Sequence, residues 1–199
     1  MAAMSTVSIA TDATDAPPLR PLPERATELL ARVDAPPRLV AHLRAVHDVA
    51  AQLVDWAQRH CPGLEFDAHA VLFGAATHDI GKAVHPAELS GPGARHEEAG
   101  RKLLLEHGVE SGLARFAGTH ASWTPPGIGT EDLLVSLADK VWKGKRVPEL
   151  EDLVVARLAD ADGRAVWEWF MELDETLTRI GEEADRRLAY QMSHSLARR

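Results

Sequence analysis

The sequence predicts an all-α, single-domain protein. Apolar residues recur at three- and four-residue steps along most of the chain. No stretch sustains the period-two alternation of a half-buried strand. Proline and glycine fall at intervals that cut the chain into helix-sized lengths. The 199 residues suit one domain and show no internal repeat, and a hydrophobic content of 45% is enough for a core.

Residues 1–23, "MAAMSTVSIATDATDAPPLRPLP", are rich in Ala, Thr, Ser, Asp and Pro without periodicity, and are expected to form a disordered lead-in to a domain spanning 24–192. Pro36 and Pro37 open a helix, because a first turn has no partners for its N–H groups. Leu39, Leu43, Val46, Ala50, Leu53 and Ala57 form its apolar stripe, and "CPG" from Cys61 to Gly63 ends it. Asp67 is placed to cap the next helix, which carries Ala70, Phe73 and Ala76 and is expected to run to Gly81. "HPAELSGPGAR" reads as loop with one short turn. Helices are expected over Glu97 to His107 and Ser111 to Thr119, with "SWTPPGIG" as a loop after them. Thr130 is placed to cap a helix whose first turn holds Glu131 and Asp132, favourable at the positive dipole end. Two more helices are expected, Pro148 to Ala159 and a long one from Arg164 to Gln191.

Composition excludes several classes. A formal net charge of −8 leaves no extended nucleic-acid surface, so any phosphate contact must be local. No apolar run approaches the ~20 residues that span a bilayer, and the N-terminus lacks a basic region followed by an apolar one. The single cysteine, Cys61, allows no intramolecular disulfide and suits a reducing cytoplasm.

The chemistry gathers in "ATHDIGKAVHP", Ala76 to Pro86. His78 and Asp79 are neighbours and would point about 100° apart on a regular helix, so they serve one site only near a helix end. His47, His96, His120 and Asp139 also sit at helix ends or among apolar neighbours, where a polar side chain is costly unless paired or bound to metal. Imidazole and carboxylate are ligands for first-row divalent metals such as Fe, Mn, Co, Ni or Zn, whereas a lone cysteine rules out a thiolate site.

His47, then His78-Asp79 after a second helix, then Asp139 far downstream resembles the H…HD…D pattern of the HD-domain superfamily of metal-dependent phosphohydrolases. "HDIGK" is similar to the form common in its bacterial members. "RHEEAGRKLLLEHG" and "FAGTHASW" resemble the segments that supply two further histidine ligands in dinuclear members, which map onto His96 and His120. "LLVSLADKVWKGKR" resembles the helix carrying the last aspartate, Asp139. The likeness spans 37–146, with C-terminal helices over 148–192. The chain lacks the "GYP" signature of cyclic dinucleotide phosphodiesterases. At ligand level it is closer to small bacterial diiron members that split dinucleoside polyphosphates.

The resemblance implies an HD-type helical bundle around a metal site and hydrolysis of a small phosphorylated metabolite or nucleotide by a metal-bound hydroxide. The cofactor would be two divalent ions, drawn from Fe, Mn, Co, Ni or Mg. His47, His78, Asp79 and Asp139 would hold one ion, and Asp79, His96 and His120 the second. Lys82 would stabilise charge on the phosphoryl group or protonate the leaving oxygen. His85 and Arg95, in the loop over the site, and the basic cluster Lys143, Lys145 and Arg146 are the other candidates for substrate contact. A diiron oxygenase with the same ligands is a second expectation, and a non-catalytic nucleotide-binding sensor a third.

Other residues have ordinary roles. His42 lies five positions before His47 and off the same face; His47 is preferred as the ligand because it sits closer to the stripe and its distance to the pair fits the resemblance. His60 and His107 suit helix C-termini and His69 a helix start. Asp48 is expected to face solvent, and Trp123 and Trp142 to pack. Trp167 and Trp169 on the last helix are compatible with core packing or with a homodimer.

Overall fold

The computed structural model describes residues 17–197. Among these residues every regular element is helical, as the sequence predicts. The α-helices are α1 (Glu24–Arg32), α2 (Pro37–His60), α3 (Ala68–Thr77), α4 (Arg95–Glu106), α5 (Ser111–Ala114), α6 (Phe116–Thr119), α7 (Thr130–Val141), α8 (Pro148–Asp162), α9 (Val166–Glu182) and α10 (Ala184–Met192). Two 3-10 turns, Ile80–Ala83 and Pro86–Leu89, lie between α3 and α4. None of the described helices is long and apolar enough to cross a membrane.

α2 is the central strut. It opens at Pro37, with Pro36 at the cap position, and ends at His60 before Cys61. It packs against α3, α7 and α10, so its buried positions spread around most of its circumference rather than along one stripe. α3 and α7 also pack on each other, and α8 and α9 pair and cover α7. One apolar cluster, with Val46, Leu53, Trp56, Leu134, Leu137, Leu158 and Trp169, fills this half. A second, with Leu29, Leu30, Leu39, Leu43, Phe73, Ile80 and Leu104, fills the other. The seam between them crosses α2 between Leu43 and Ala45.

Local chemistry explains most boundaries. The Asp67 carboxylate accepts the Ala70 N–H at 3.0 Å, the cap its position predicts. α3 stops at Thr77, before the predicted Gly81, and the chain turns through the 3-10 segment instead. The backbone reason is a close approach: a Cβ on Gly81 would overlap the His96 carbonyl oxygen of α4. Thr130 is the first residue of α7 and makes no side-chain cap; Gly129 holds the cap position. Glu131, beside it, accepts the Asp67 N–H and so ties the start of α7 to the start of α3. The segment predicted as one helix from Arg164 is two, broken at Glu183. There the buried Arg187 guanidinium donates to the carbonyls of Ile180 and Trp142 and folds α10 back against the end of α7.

The predicted lead-in falls outside the described residues up to 16. Residues 17–23 do not belong to it: Leu19 is buried in the first cluster, and its carbonyl accepts from Arg44 at 2.7 Å. Asp48 does not face solvent either. Its carboxylate is buried, accepting the Arg20 N–H at 3.0 Å and the Gln52 amide at 2.9 Å. Trp169 is core, whereas Trp167 stands 69% exposed beside Val166, Phe170 and Met171.

Candidate metal centre

Asp79 stands where α3 hands over to the 3-10 turn, only 2% exposed at the seam of the two clusters. Its two oxygens face different partners. Oδ2 lies 3.0 Å from His42 Nε2, 3.6 Å from His78 Nε2 and 2.6 Å from Lys82 Nζ. Oδ1 lies 3.0 Å from His96 Nε2 and 3.5 Å from His120 Nε2. Asp139, from α7, joins the first side: its Oδ1 is 3.5 Å from His78 Nε2 and 4.0 Å from His42 Nε2. The ligand atoms of His42, His78 and Asp139 lie within 4.8 Å of one another, as do those of His78, Asp79 and His120.

Three of the imidazoles, those of His78, His96 and His120, are oriented by their other nitrogen, whereas His42 has no hydrogen-bond partner on either nitrogen. His78 Nδ1 is 3.0 Å from the Ala75 carbonyl oxygen, and His120 Nδ1 is 3.1 Å from that of Ala117. A carbonyl oxygen can only accept, so Nδ1 carries the proton and the Nε2 lone pair faces Asp79. His96 Nδ1 is 2.6 Å from Glu88 Oε2, with the same consequence. Nε2 of His42, His78 and His96, and Oδ1 of Asp79, are buried yet make no hydrogen bond. Lone pairs pointed at lone pairs in a buried space are unfavourable unless a cation sits among them. Nitrogen and oxygen donors with no thiolate fit a divalent first-row metal. The residues present therefore fit the group that the sequence implies.

Positive charge among these rings, a proton where there is no metal or a cation where there is, favours the ionised form of both carboxylates. Burial pushes Asp79 up, but His78, His42 and His96 outweigh it and hold the carboxyl well below its ordinary value. For Asp139 burial likewise pushes up, and His78 and Lys140 bring it down. Both carboxylates are therefore ionised at neutral pH. Burial, with His78 nearby, lowers His120 to about 4, so its ring is neutral and free to donate a lone pair.

Five of the six predicted ligand residues, His78, Asp79, His96, His120 and Asp139, meet in this corner. The sixth does not: His42 takes the place expected of His47. Five residues turn a helix by about 500°, so the two rings point about 140° apart. His47 lies instead near Arg20 and Arg44, and its Nδ1 has no partner. Lys82 is in place on Asp79, 19% exposed. Lys140, which sequence reasoning passed over, mirrors it at 2.5 Å from Asp139 Oδ2 and 13% exposed. Arg146 is removed from the proposed mouth: Glu151 and Asp174 hold it at 2.7 and 2.8 Å. Lys143 is exposed, with its ammonium 5.9 Å from the Trp142 ring, which itself packs edge-on against His42. Lys145 and Arg95 are exposed, and His85 is half-buried in the turn after Lys82.

The relocation of His47 has a measurable consequence. Burial lowers its pKa to about 4, and Arg20 and Arg44 add to this against Asp48. The unfolded chain binds that proton near 6.5. A depressed pKa favours the folded state above 6.5 and loses that advantage as pH falls towards 4. Wild type should therefore lose about 3 kcal/mol more stability than His47→Leu between pH 7 and 4, at 1.36 kcal/mol per pKa unit. Denaturant melts at both pH values check this; equal losses would count against it.

No curated protein and no solved structure matches the chain. The HD domain family profile does, over residues 39–143, more than half of the 199. That span runs from three residues before His42 to four beyond Asp139, and so contains the whole converging set. With the all-helical architecture and the His/Asp corner agreeing, the chain belongs to the HD-domain family.

Proposed function

We propose that this protein is a metal-dependent phosphohydrolase acting on a small phosphorylated metabolite or nucleotide. The observation that supports it is the division of labour at Asp79, whose Oδ2 faces Nε2 of His42 and His78 and whose Oδ1 faces Nε2 of His96 and His120, with those of His42, His78 and His96 buried and unpartnered. His42, His78, Asp139 and Asp79 Oδ2 would hold one divalent ion, and His96, His120 and Asp79 Oδ1 a second. The HD-domain family consists mostly of metal-dependent hydrolases, which favours the same reading. Such a pair supplies Lewis acidity towards water and phosphoryl oxygens, with a pKa for bound water lowered towards ~7.

The chain's own groups account for the rest. The buried walls exclude bulk water and strengthen each charge interaction within. Lys82 and Lys140 are the two ammonium groups at the corner, one on each carboxylate. Cations in the metal positions would compete with them for those oxygens, leaving the ammoniums to contact a dianionic phosphate. Lys82 would then steady developing charge on the phosphoryl group or donate a proton to the leaving oxygen. Neither task needs the Arg146 cluster.

Protein purified without chelators should contain close to two divalent ions per chain and release phosphate from members of a phosphomonoester and nucleotide panel. Chelation should abolish release, and re-addition of metal should restore it. Oxygen uptake without phosphate release would replace this reading with the oxygenase; tight nucleotide binding with neither would replace it with the sensor.

A further inference from the structure

We propose that Glu88 is the positioning residue for His96, fixing its ring so that Nε2 faces Asp79. The inference rests on the metal-site reading above and adds a residue to it.

His78 and His120 orient themselves with carbonyls three residues earlier on their own segments. His96 cannot do so. It is the second residue of α4, where the carbonyls that would lie beneath it belong to the preceding loop. An outside acceptor is required, and Glu88 supplies it from the 3-10 turn Pro86–Leu89. Its Oε2 lies 2.6 Å from His96 Nδ1 and 3.1 Å from the His96 backbone nitrogen, and Oε1 lies 3.3 Å from that of Arg95. The N-cap residue itself, Ala94, has no side chain able to cap. One carboxylate thus closes the helix start and clamps the imidazole. The loop fits closely around it: a Cβ on Gly93 would lie 2.5 Å from the Glu88 carboxyl and would push that side chain from its place.

An ionised acceptor also strengthens the Nε2 donor more than a carbonyl would, and carboxylates behind ligand histidines are a recurring means of tuning metal affinity. His96 is the imidazole nearest Asp79 Oδ1, at 3.0 Å against 3.5 Å for His120. Loss of Glu88 should therefore fall on the second ion and spare the first.

Two readouts test this on the full chain. In metal-free protein at pH 9, nitrogen NMR of wild type should show His96 protonated at Nδ1 alone; Glu88→Ala should show a mixture of tautomers. A helix cap with no positioning role would leave that signature unchanged. In calorimetric metal titrations, Glu88→Ala should weaken the second ion about 10–100-fold and leave the first within twofold. Glu88→Gln keeps the volume and one acceptor oxygen, so it should fall between them and guards against a folding defect in the alanine variant. Wild-type tautomer in both variants would overturn the proposal, as would an unchanged second affinity. If wild type itself binds no metal, the metal-site reading fails, and the tautomer measurement still decides whether Glu88 orients His96.

Discussion

Asp79→Asn is expected to strip both ions from the chain and to lower phosphate release about a thousandfold, ~4 kcal/mol at 1.36 kcal/mol per tenfold. The size follows from geometry rather than from charge alone. Among the described residues Asp79 is the one carboxylate with an oxygen on each side of the centre, 3.0 Å from His42 and 3.0 Å from His96. Asparagine keeps the shape but replaces one oxygen with an NH2 group that repels a cation, so whichever way the amide turns, one set of imidazoles loses its anionic partner. The other set loses that negative charge as well, because an amide oxygen is neutral. Asp139→Asn makes the contrast. Of the corner's imidazoles Asp139 reaches His78 and His42, at 3.5 and 4.0 Å, and neither of the other two, so that variant should keep the second ion and lose the first. Elemental analysis beside a phosphate assay reads both, with circular dichroism to show that the helices persist. Two ions and undiminished turnover in Asp79→Asn would sink the ligand scheme.

The helices were legible where a local rule decides them. Proline at the head of α2 and Asp67 before α3 each act within one turn, and the structure places boundaries there. The boundaries that moved depend on distant backbone. α3 ends early because Gly81 must pass close to α4, and the last helix breaks where Arg187 reaches back to the Trp142 carbonyl. Neither contact leaves a trace within a window of ten residues.

The site divides in the same way. His78-Asp79 stood out because two adjacent polar residues ended an apolar stretch. The choice between His42 and His47 failed because it relied on nearness to a buried stripe, and α2 is buried on most sides. Both rings are 5–6% exposed, so burial could not separate them. Spacing could not separate them either: His42 follows Leu39 by three and precedes Val46 by four, and His47 follows Leu43 by four and precedes Ala50 by three. Glu88 and Lys140 were missed for another reason. Glu88 acts from a loop across eight positions, and Lys140 looks like any lysine near a helix end until Asp139 is seen beside it.

Gly81→Ala should cost about 3 kcal/mol and lower the melting temperature by about 6–12 °C for a chain of this size. Its φ is not the reason, since Gly81 is not among the glycines in the left-handed region. The reason is contact: the added Cβ would overlap the His96 carbonyl oxygen and lie 2.6 Å from the Gly100 nitrogen. Both obstacles are backbone, so no rotamer change relieves them and α4 must retreat as a body. His96 travels with α4, which opens its 3.0 Å approach to Asp79 and should weaken the second ion as well. Gly100→Ala is the matched comparison across the same contact. Its Cβ would meet the Gly81 nitrogen at 3.1 Å and the Ala117 Cβ at 3.2 Å, tight but within reach of a few tenths of an ångström of adjustment. It should therefore lose less than half as much stability. Thermal melts of the two variants, each with and without added metal, give the order directly. A Gly81→Ala protein that melts with wild type would mean that α4 does not need to lie this close for the corner to form.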